Sequence, residues 1–302
     1  MTEGRGHVHL SVAGDEPHLT TRATGGQRVP DIDRFRYDEV AFKGSHNSID
    51  RLGHLPWAER IEHQLSGTGG LSEPCRALEL DLVQESHRFR WTVKHGVNDD
   101  GPGLPDVLEV VRSWADRSSN ANHPVLTLHL DLKNAPLTHE SFASAIDALL
   151  TKSFGASRLC TPGEVMGDHE DLVRGARAGG WPTFGQLRGR MVICLSGRGE
   201  RKLRYARRNA TTRVCFADYP GSRGAPRRGH RVFANLFVDA HGYRGNLARV
   251  KRQTGFMARG YNIVHRRSWD DSVAGRANVL SGDVLDSTDL FLGGEGYAAA
   301  GP

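Results

Sequence analysis

The stretch "HPVLTLHLDLKN", residues 123–134, alternates leucines with polar residues. In an extended chain successive side chains point to opposite faces. Leu126, Leu128, Leu130 and Leu132 therefore share one face, and Thr127, His129, Asp131 and Lys133 share the other. "RALELDLV", residues 76–83, repeats the pattern, with Leu78, Leu80 and Leu82 opposite Ala77, Glu79 and Asp81. One reading is a solvated antiparallel sheet whose acids pair with Arg or Lys. The regularity of the leucine faces favours another, in which the leucines pack under helices and the polar set faces the axis of a barrel. Without partners, carboxylates buried in that position would cost several kcal/mol each, so they need a cation or a dense hydrogen-bond network.

Outward from these two runs, short apolar segments alternate with amphipathic ones. Strands are expected at 39–43, 77–83, 125–132, 191–196, 213–217, 232–238, 256–260 and 279–284. Helices are expected at 56–66, 104–117, 138–152, about 245–253 and about 270–278. In the second helix Leu104, Val107, Leu108, Val111 and Ala115 recur at helical spacing, and Pro105 sits where a first turn tolerates it. Strand–helix alternation implies a parallel sheet, and eight strands imply an α/β fold of the TIM-type (β/α)8 barrel class. The last three strands carry the weakest signals, so an irregular or incompletely closed barrel is the variant to look for. A further run, 90–95, follows the second strand too closely for a crossover and is expected to pair antiparallel with it. The expected organisation is a flexible arm at 1–35, a barrel domain at 36–292 and a frayed tail at 293–302.

Composition fits an ordinary globular protein of 302 residues, 38% hydrophobic and 25% charged, with net charge +5. The mild positive balance suits an anionic substrate or surface. The cysteines, Cys75, Cys160, Cys194 and Cys215, are single, which argues against a zinc knuckle and a disulfide framework. No run approaches 18 apolar residues. The first residues lack an apolar core of the signal-peptide kind, so the location expected by default is cytoplasmic, or secreted if the true start lies elsewhere. The basic run "GRGERKLRYARR", 197–208, reads first as a solvated loop and second as a contact for an anionic membrane or phosphate.

"KGSHNSID", 43–50, places His46 and Asn47 at the C-terminal end of the first strand, where barrel active sites form. Glu79, Asp81, Asp131 and the Asn47 amide oxygen make an all-oxygen set that suits Ca²⁺ or Mg²⁺ rather than zinc. His95 ends the hairpin run. Two histidines beside such a site fit phosphoryl chemistry, one stabilising charge on a phosphoryl oxygen and one protonating the leaving oxygen.

In order, "GSHNSI", "CRALELDL", "VKHG" and "HPVLTLHLDLKN" resemble the motifs of the phosphatidylinositol-specific phospholipase C barrel, closest to its calcium-dependent bacterial branch. "WPTFGQLRGRMVICL", "GFMARGYN" and "GRANVLSGD" extend the resemblance more loosely, to cover residues 38–285. The resemblance implies Asn47, Glu79, Asp81 and Asp131 as Ca²⁺ ligands, His46 on the phosphoryl oxygens and His95 as general acid. It implies Glu79 as a base for the attacking hydroxyl, and Lys133 and Arg259 as substrate-binding residues. The reaction implied is intramolecular attack on a phosphatidylinositol-type diester, giving a cyclic inositol phosphate and diacylglycerol. His129 has no place in the pattern.

Three other readings remain open at this stage. One is a glycerophosphodiester phosphodiesterase or sphingomyelinase D-like enzyme on the same barrel. The second is an inactive barrel that binds phosphoinositides. The third, a nucleic-acid binder, would need aromatics interleaved with the basic run, where Tyr205 stands alone. The partners expected are therefore a phosphodiester substrate and the surface of an anionic membrane, with no nucleic acid.

Overall fold

Eight parallel strands close into a ring in the computed structural model, which describes residues 31–84, 90–96, 100–133, 139–197, 200–207, 210–285 and 296–299. The strands are β1 Val40–Ser45, β2 Ala77–Gln84, β3 Trp91–Val93, β4 Leu126–Leu132, β5 Leu159–Cys160, β6 Met191–Gly197, β7 Phe216–Pro220, β8 Phe233–Phe237, β9 Met257–Ile263, β10 Val279–Gly282 and β11 Tyr297–Ala299. The ring runs β1–β2–β4–β6–β7–β8–β9–β10 and returns to β1. The barrel expected from the sequence is thus present, and it closes. β3 pairs antiparallel with β2, with Leu82 opposite Val93, as the short spacing required.

Closure is tightest at β1. β2 reaches β1 only at Gly44 and Ser45. A Cβ on Gly44 would lie 3.1 Å from the Ala77 Cβ, so only glycine lets the two strands approach this far. The rest of that edge of β1 would expose unpaired backbone groups. β11 covers it, pairing antiparallel from Val40–Ala299 to Phe42–Tyr297. Residues 297–299, expected in a frayed tail, are therefore part of the sheet.

The helices are α1 Trp57–Ser66, α2 Leu104–Asp116, α3 His139–Phe154, α4 Pro162–Met166, α5 Leu172–Arg177, α6 Glu200–Arg207, α7 Tyr243–Lys251 and α8 Arg266–Ala274. The leucine faces of β2 and β4 lie under α1–α3, in one cluster with Ile61, Leu65, Val107, Val111, Phe142 and Ile146. The barrel interior divides along its axis. Its lower half is filled by Phe42, Phe216 and Phe233, closed from below by Tyr37, Trp181 and Phe184. Its upper half, at the C-terminal strand ends, is polar.

Four expectations shift. The fifth strand lies at Phe216–Pro220 rather than 213–217, and the last helix at Arg266–Ala274 rather than 270–278. Residues 31–35 of the expected arm pack on the barrel: the Phe184 N–H donates to the Phe35 carbonyl at 2.7 Å, and Arg188 pairs with Asp33 at 2.9 Å. Residues 1–30 lie outside the described residues. The described part of the run 197–208 is not a solvated loop: α6 turns Lys202 onto buried Asp218 and buries Tyr205. The thiols of Cys75, Cys160, Cys194 and Cys215 are all free and buried.

Asn278 ties the closing seam together. Its amide donates to the carbonyls of Asp38 (2.8 Å) and Val40 (3.0 Å), and its oxygen accepts from the Ala258 N–H (3.0 Å) and Lys251 Nζ (2.7 Å). All of this is out of water, Asn278 itself being fully buried. Asn278→Ala strands buried donors and acceptors at the seam, so it should cost about 3 kcal/mol. Urea unfolding measures this as a lower midpoint at unchanged slope. An unchanged midpoint would show that the seam does not depend on Asn278.

Candidate active site and metal centre

The register of β2, β4 and β6 stacks inward-facing side chains in layers. Glu79, His129 and Cys194 form one layer, and Asp81, Asp131 and Ser196 the next toward the mouth. Glu79, Asp81 and Asp131 each offer an oxygen within 4.8 Å of the others, the one such acidic cluster among the described residues. Glu79 and Asp81 are each 2% exposed. Burial, then repulsion from Glu79 and Asp131, pushes the Asp81 carboxyl up to about 6 against the pull of Lys133. Glu79 moves the other way. Burial alone would raise it, but the Arg259 guanidinium, His46 and the Asn47 N–H together hold it below the usual carboxylate range.

Asn47 turns the chain off the end of β1. It adopts φ 48° and ψ 58°, a left-handed conformation that asparagine tolerates better than most residues. Its N–H donates to Glu79 Oε2 at 3.0 Å. Its side-chain Oδ1 is buried and accepts no hydrogen bond. A buried acceptor without a donor, beside three crowded carboxylates, fits a hard cation held by oxygen. Asn47, Glu79, Asp81 and Asp131, the donor set expected from the sequence, therefore lie together at one end of the barrel.

The two histidines flank this cluster, and each is held by a carboxylate. His46 Nδ1 lies 3.0 Å from Asp283 Oδ1, and its Nε2 lies 3.4 Å from Glu79 Oε2. Arg51 in turn fixes Asp283, with Nη1 3.0 Å from Oδ1 and a hydrogen bond to the Asp283 carbonyl at 3.0 Å. His95 Nδ1 lies 2.8 Å from Asp81 Oδ2, and its side chain is 58% exposed. In both, the partner on Nδ1 fixes the ring; Nε2 of His46 faces Glu79, and Nε2 of His95 is turned away from Asp81.

Arg259 lies deeper, fully buried, with Nη2 3.0 Å from Glu79 Oε2, Nε donating to Ser281 Oγ at 2.9 Å, and its guanidinium over the Tyr261 ring. Lys133 Nζ spans Asp81 Oδ1 (3.1 Å) and Asp131 Oδ2 (3.5 Å). The residues expected at the site, His46, Asn47, Glu79, Asp81, His95, Asp131, Lys133 and Arg259, are therefore brought to one end of the barrel. His129 is close but separate, buried level with Glu79, its ring edge-on to Phe233 and neither nitrogen hydrogen-bonded. Burial holds it neutral, its pKa well below the ordinary histidine value.

Sequence reasoning missed Asp283, Tyr261 and the buried pair of Lys202 with Asp218. Asp283 was open to detection, since it follows Val279 and Ser281 in the inward alternation of the last strand. Asp218 was hidden by the shift of the fifth strand.

Residues 98–230 match the family model "Phosphoinositide phospholipase C, Ca2+-dependent". That span includes Asp131 and Lys133. The fold is similar to a calcium-dependent phosphoinositol-specific phospholipase C from a Gram-negative bacterium, Pseudomonas sp., solved as a myo-inositol complex. The TM-score is 0.70 at 18% identity, over 89% of this chain and 97% of that one. It is also similar to a Ca²⁺-dependent phosphatidylinositol-specific phospholipase C from Streptomyces antibioticus, with TM-score 0.64 at 17% identity, over 84% of this chain and 98% of that one. No curated protein sequence matches the chain. Over residues 98–230 the family model carries the description of the branch that the motifs resemble, and the solved structures share the barrel fold.

Two predictions concern cation binding, measured by calorimetry with Ca²⁺. Asp81 takes up a proton as pH falls through about 6, and a proton competes with a cation for its oxygens. Affinity should therefore fall between pH 7 and pH 5, and Asp81→Asn should bind weakly with a flatter pH dependence. A pH-independent affinity in the unmodified protein would contradict this. Lys133 spans two of the carboxylates, so Lys133→Met should tighten Ca²⁺ by roughly tenfold by removing a competing positive charge. Unchanged or weaker binding would show that the lysine does not compete.

Proposed function

We propose that this protein is a metal-dependent phosphoric diester hydrolase acting on phosphatidylinositol-type diesters, releasing a cyclic inositol phosphate and diacylglycerol. The observation that carries the reading is the pair of histidines, each held through Nδ1 by a carboxylate, on either side of an oxygen-only cluster. The match of residues 98–230 to a calcium-dependent family supports Ca²⁺ as the cation, and a neighbour in fold was solved with myo-inositol. A cation held by Asn47, Glu79, Asp81 and Asp131 supplies Lewis acidity, lowering the pKa of the attacking hydroxyl and neutralising charge on the phosphate.

The chain's own groups do the rest. His46 presents Nε2 to a phosphoryl oxygen, steadied by Asp283 and Arg51. His95 donates a proton from Nε2 to the leaving oxygen, steadied by Asp81. Lys133 lies at hand for the substrate phosphate. Glu79, kept ionised by Arg259, His46 and the Asn47 N–H, serves both as ligand and as acceptor of the attacking hydroxyl's proton. Arg259 acts through Glu79, to which it is bound. Attack by the substrate's own hydroxyl gains from intramolecularity. Ser48 Oγ is buried and bonded to Ser45 and the Glu79 N–H, and burial raises the Cys75, Cys160, Cys194 and Cys215 thiols. A lipid substrate would bring the C-terminal mouth against an anionic membrane.

The test is ³¹P NMR of phosphatidylinositol vesicles with the protein in Ca²⁺, in Mg²⁺ and in EDTA. A cyclic inositol phosphate resonance should appear with Ca²⁺, vanish in EDTA, and slow by about 10²–10⁴-fold in His95→Ala. Turnover with Mg²⁺ would revise the metal. Folded protein giving no product in any condition would overturn the substrate assignment.

A further inference from the structure

A second concavity of about 510 Å³ opens directly beside His95. Its lining includes the apolar side chains of Ile49, Trp57, Val93 and Pro102. Three separate segments meet there: the turn after β1 with the start of α1, the end of β3, and the approach to α2. The wall is braced. Arg60 spends its guanidinium on the carbonyls of Ile49 (2.8 Å), Leu55 (2.5 Å) and Gly53 (2.9 Å), which fixes the loop between β1 and α1 around Trp57. On the other side the Val93 N–H donates to the Pro102 carbonyl at 2.8 Å.

The position of His95 connects this groove to the chemistry. With Nδ1 on Asp81, the imidazole turns its Nε2 edge away from the carboxylates. The residue that closes one end of the groove is His95 itself. A leaving oxygen protonated from Nε2 therefore departs on the groove side. Asp50 and Asp100 in the lining are balanced by Arg60 and Lys94, so the groove has no net charge to hold an ion and a neutral alcohol is the fitting occupant.

We propose that this groove is the leaving-group subsite, and that Trp57 reads the apolar end of the leaving alcohol, the glycerol ester and first methylenes of a lipid. This rests on the phosphodiesterase reading above and adds to it the side on which the alcohol sits and the residue that selects it.

The test uses soluble diesters that share inositol 1-phosphate and differ only in the alcohol: methanol, butan-1-ol and octan-1-ol. These alcohols have similar basicity, so differences in kcat/KM report contacts made by the chain. In the unmodified protein kcat/KM should rise at least tenfold from methyl to butyl, as buried methylenes accumulate. Trp57→Ala should flatten the series, and Trp57→Phe, which keeps the packing of the helix start, should flatten it in part. Thermal unfolding checks that each variant is folded, and Trp57→Phe alone decides the matter if Trp57→Ala does not fold. A flat series in the unmodified protein overturns the subsite, as does a slope that survives in folded Trp57 variants. Turnover of the methyl diester separates the two levels. If it is cleaved while the series is flat, only the subsite falls. If no diester is cleaved, the phosphodiesterase reading falls and the subsite falls with it.

Discussion

Three carboxylates drawn within 4.8 Å of one another inside a barrel are the constraint on which the upper half of this structure depends. Such a cluster is costly, because each charge loses water and repels the next. The surrounding side chains are arranged to offset that cost. Arg259 answers Glu79 from below, Lys133 spans Asp81 and Asp131 from the rim, and His46 and His95 approach from opposite sides. The compensation is incomplete. Asp81 stays well above its ordinary pKa and the Asn47 oxygen has no donor. A divalent cation would supply what is missing in both places, which is why the deficit reads as function.

A polar upper barrel requires a lower one that is dry and stable. The aromatic fill of Phe42, Phe216 and Phe233 above Trp181 takes that part, and Trp181 Nε1 donates to the Gly255 carbonyl at 2.8 Å. The two halves are continuous along each strand. β7 carries Phe216 in the lower layer and Asp218 above it, and β1 runs from Phe42 to Gly44 and then to His46 just past its end. Stability and chemistry are thus separated by two residues of strand, so the register that packs the core also aims the site.

Much of this was legible from alternation alone. The leucine runs of β2 and β4 gave both the buried strands and the inward placement of Glu79, Asp81 and Asp131, because period two leaves no other face for them. The His46–Asn47 turn was legible as the end of an apolar run. What escaped depends on contacts between distant segments. Asp283 meets His46 from 237 positions away, and β11 is a strand only because β2 leaves part of β1 uncovered. The basic run at α6 misled for a related reason. Its charge suggested solvent, whereas Lys202 turns inward to Asp218, a partner placed by a strand that begins three residues later than the apolar pattern implied.

The central claim is that the carboxylate cluster with Asn47 is the protein's cation site. The most direct measurement is a crystal structure grown with Ca²⁺, with the ion located by its anomalous scattering. The account predicts a peak about 2.3–2.6 Å from Asn47 Oδ1 and from oxygens of Glu79, Asp81 and Asp131, with Lys133 moved off the acids. A peak elsewhere on the molecule, or Lys133 still bridging Asp81 and Asp131 with no ion between them at saturating Ca²⁺, would contradict it.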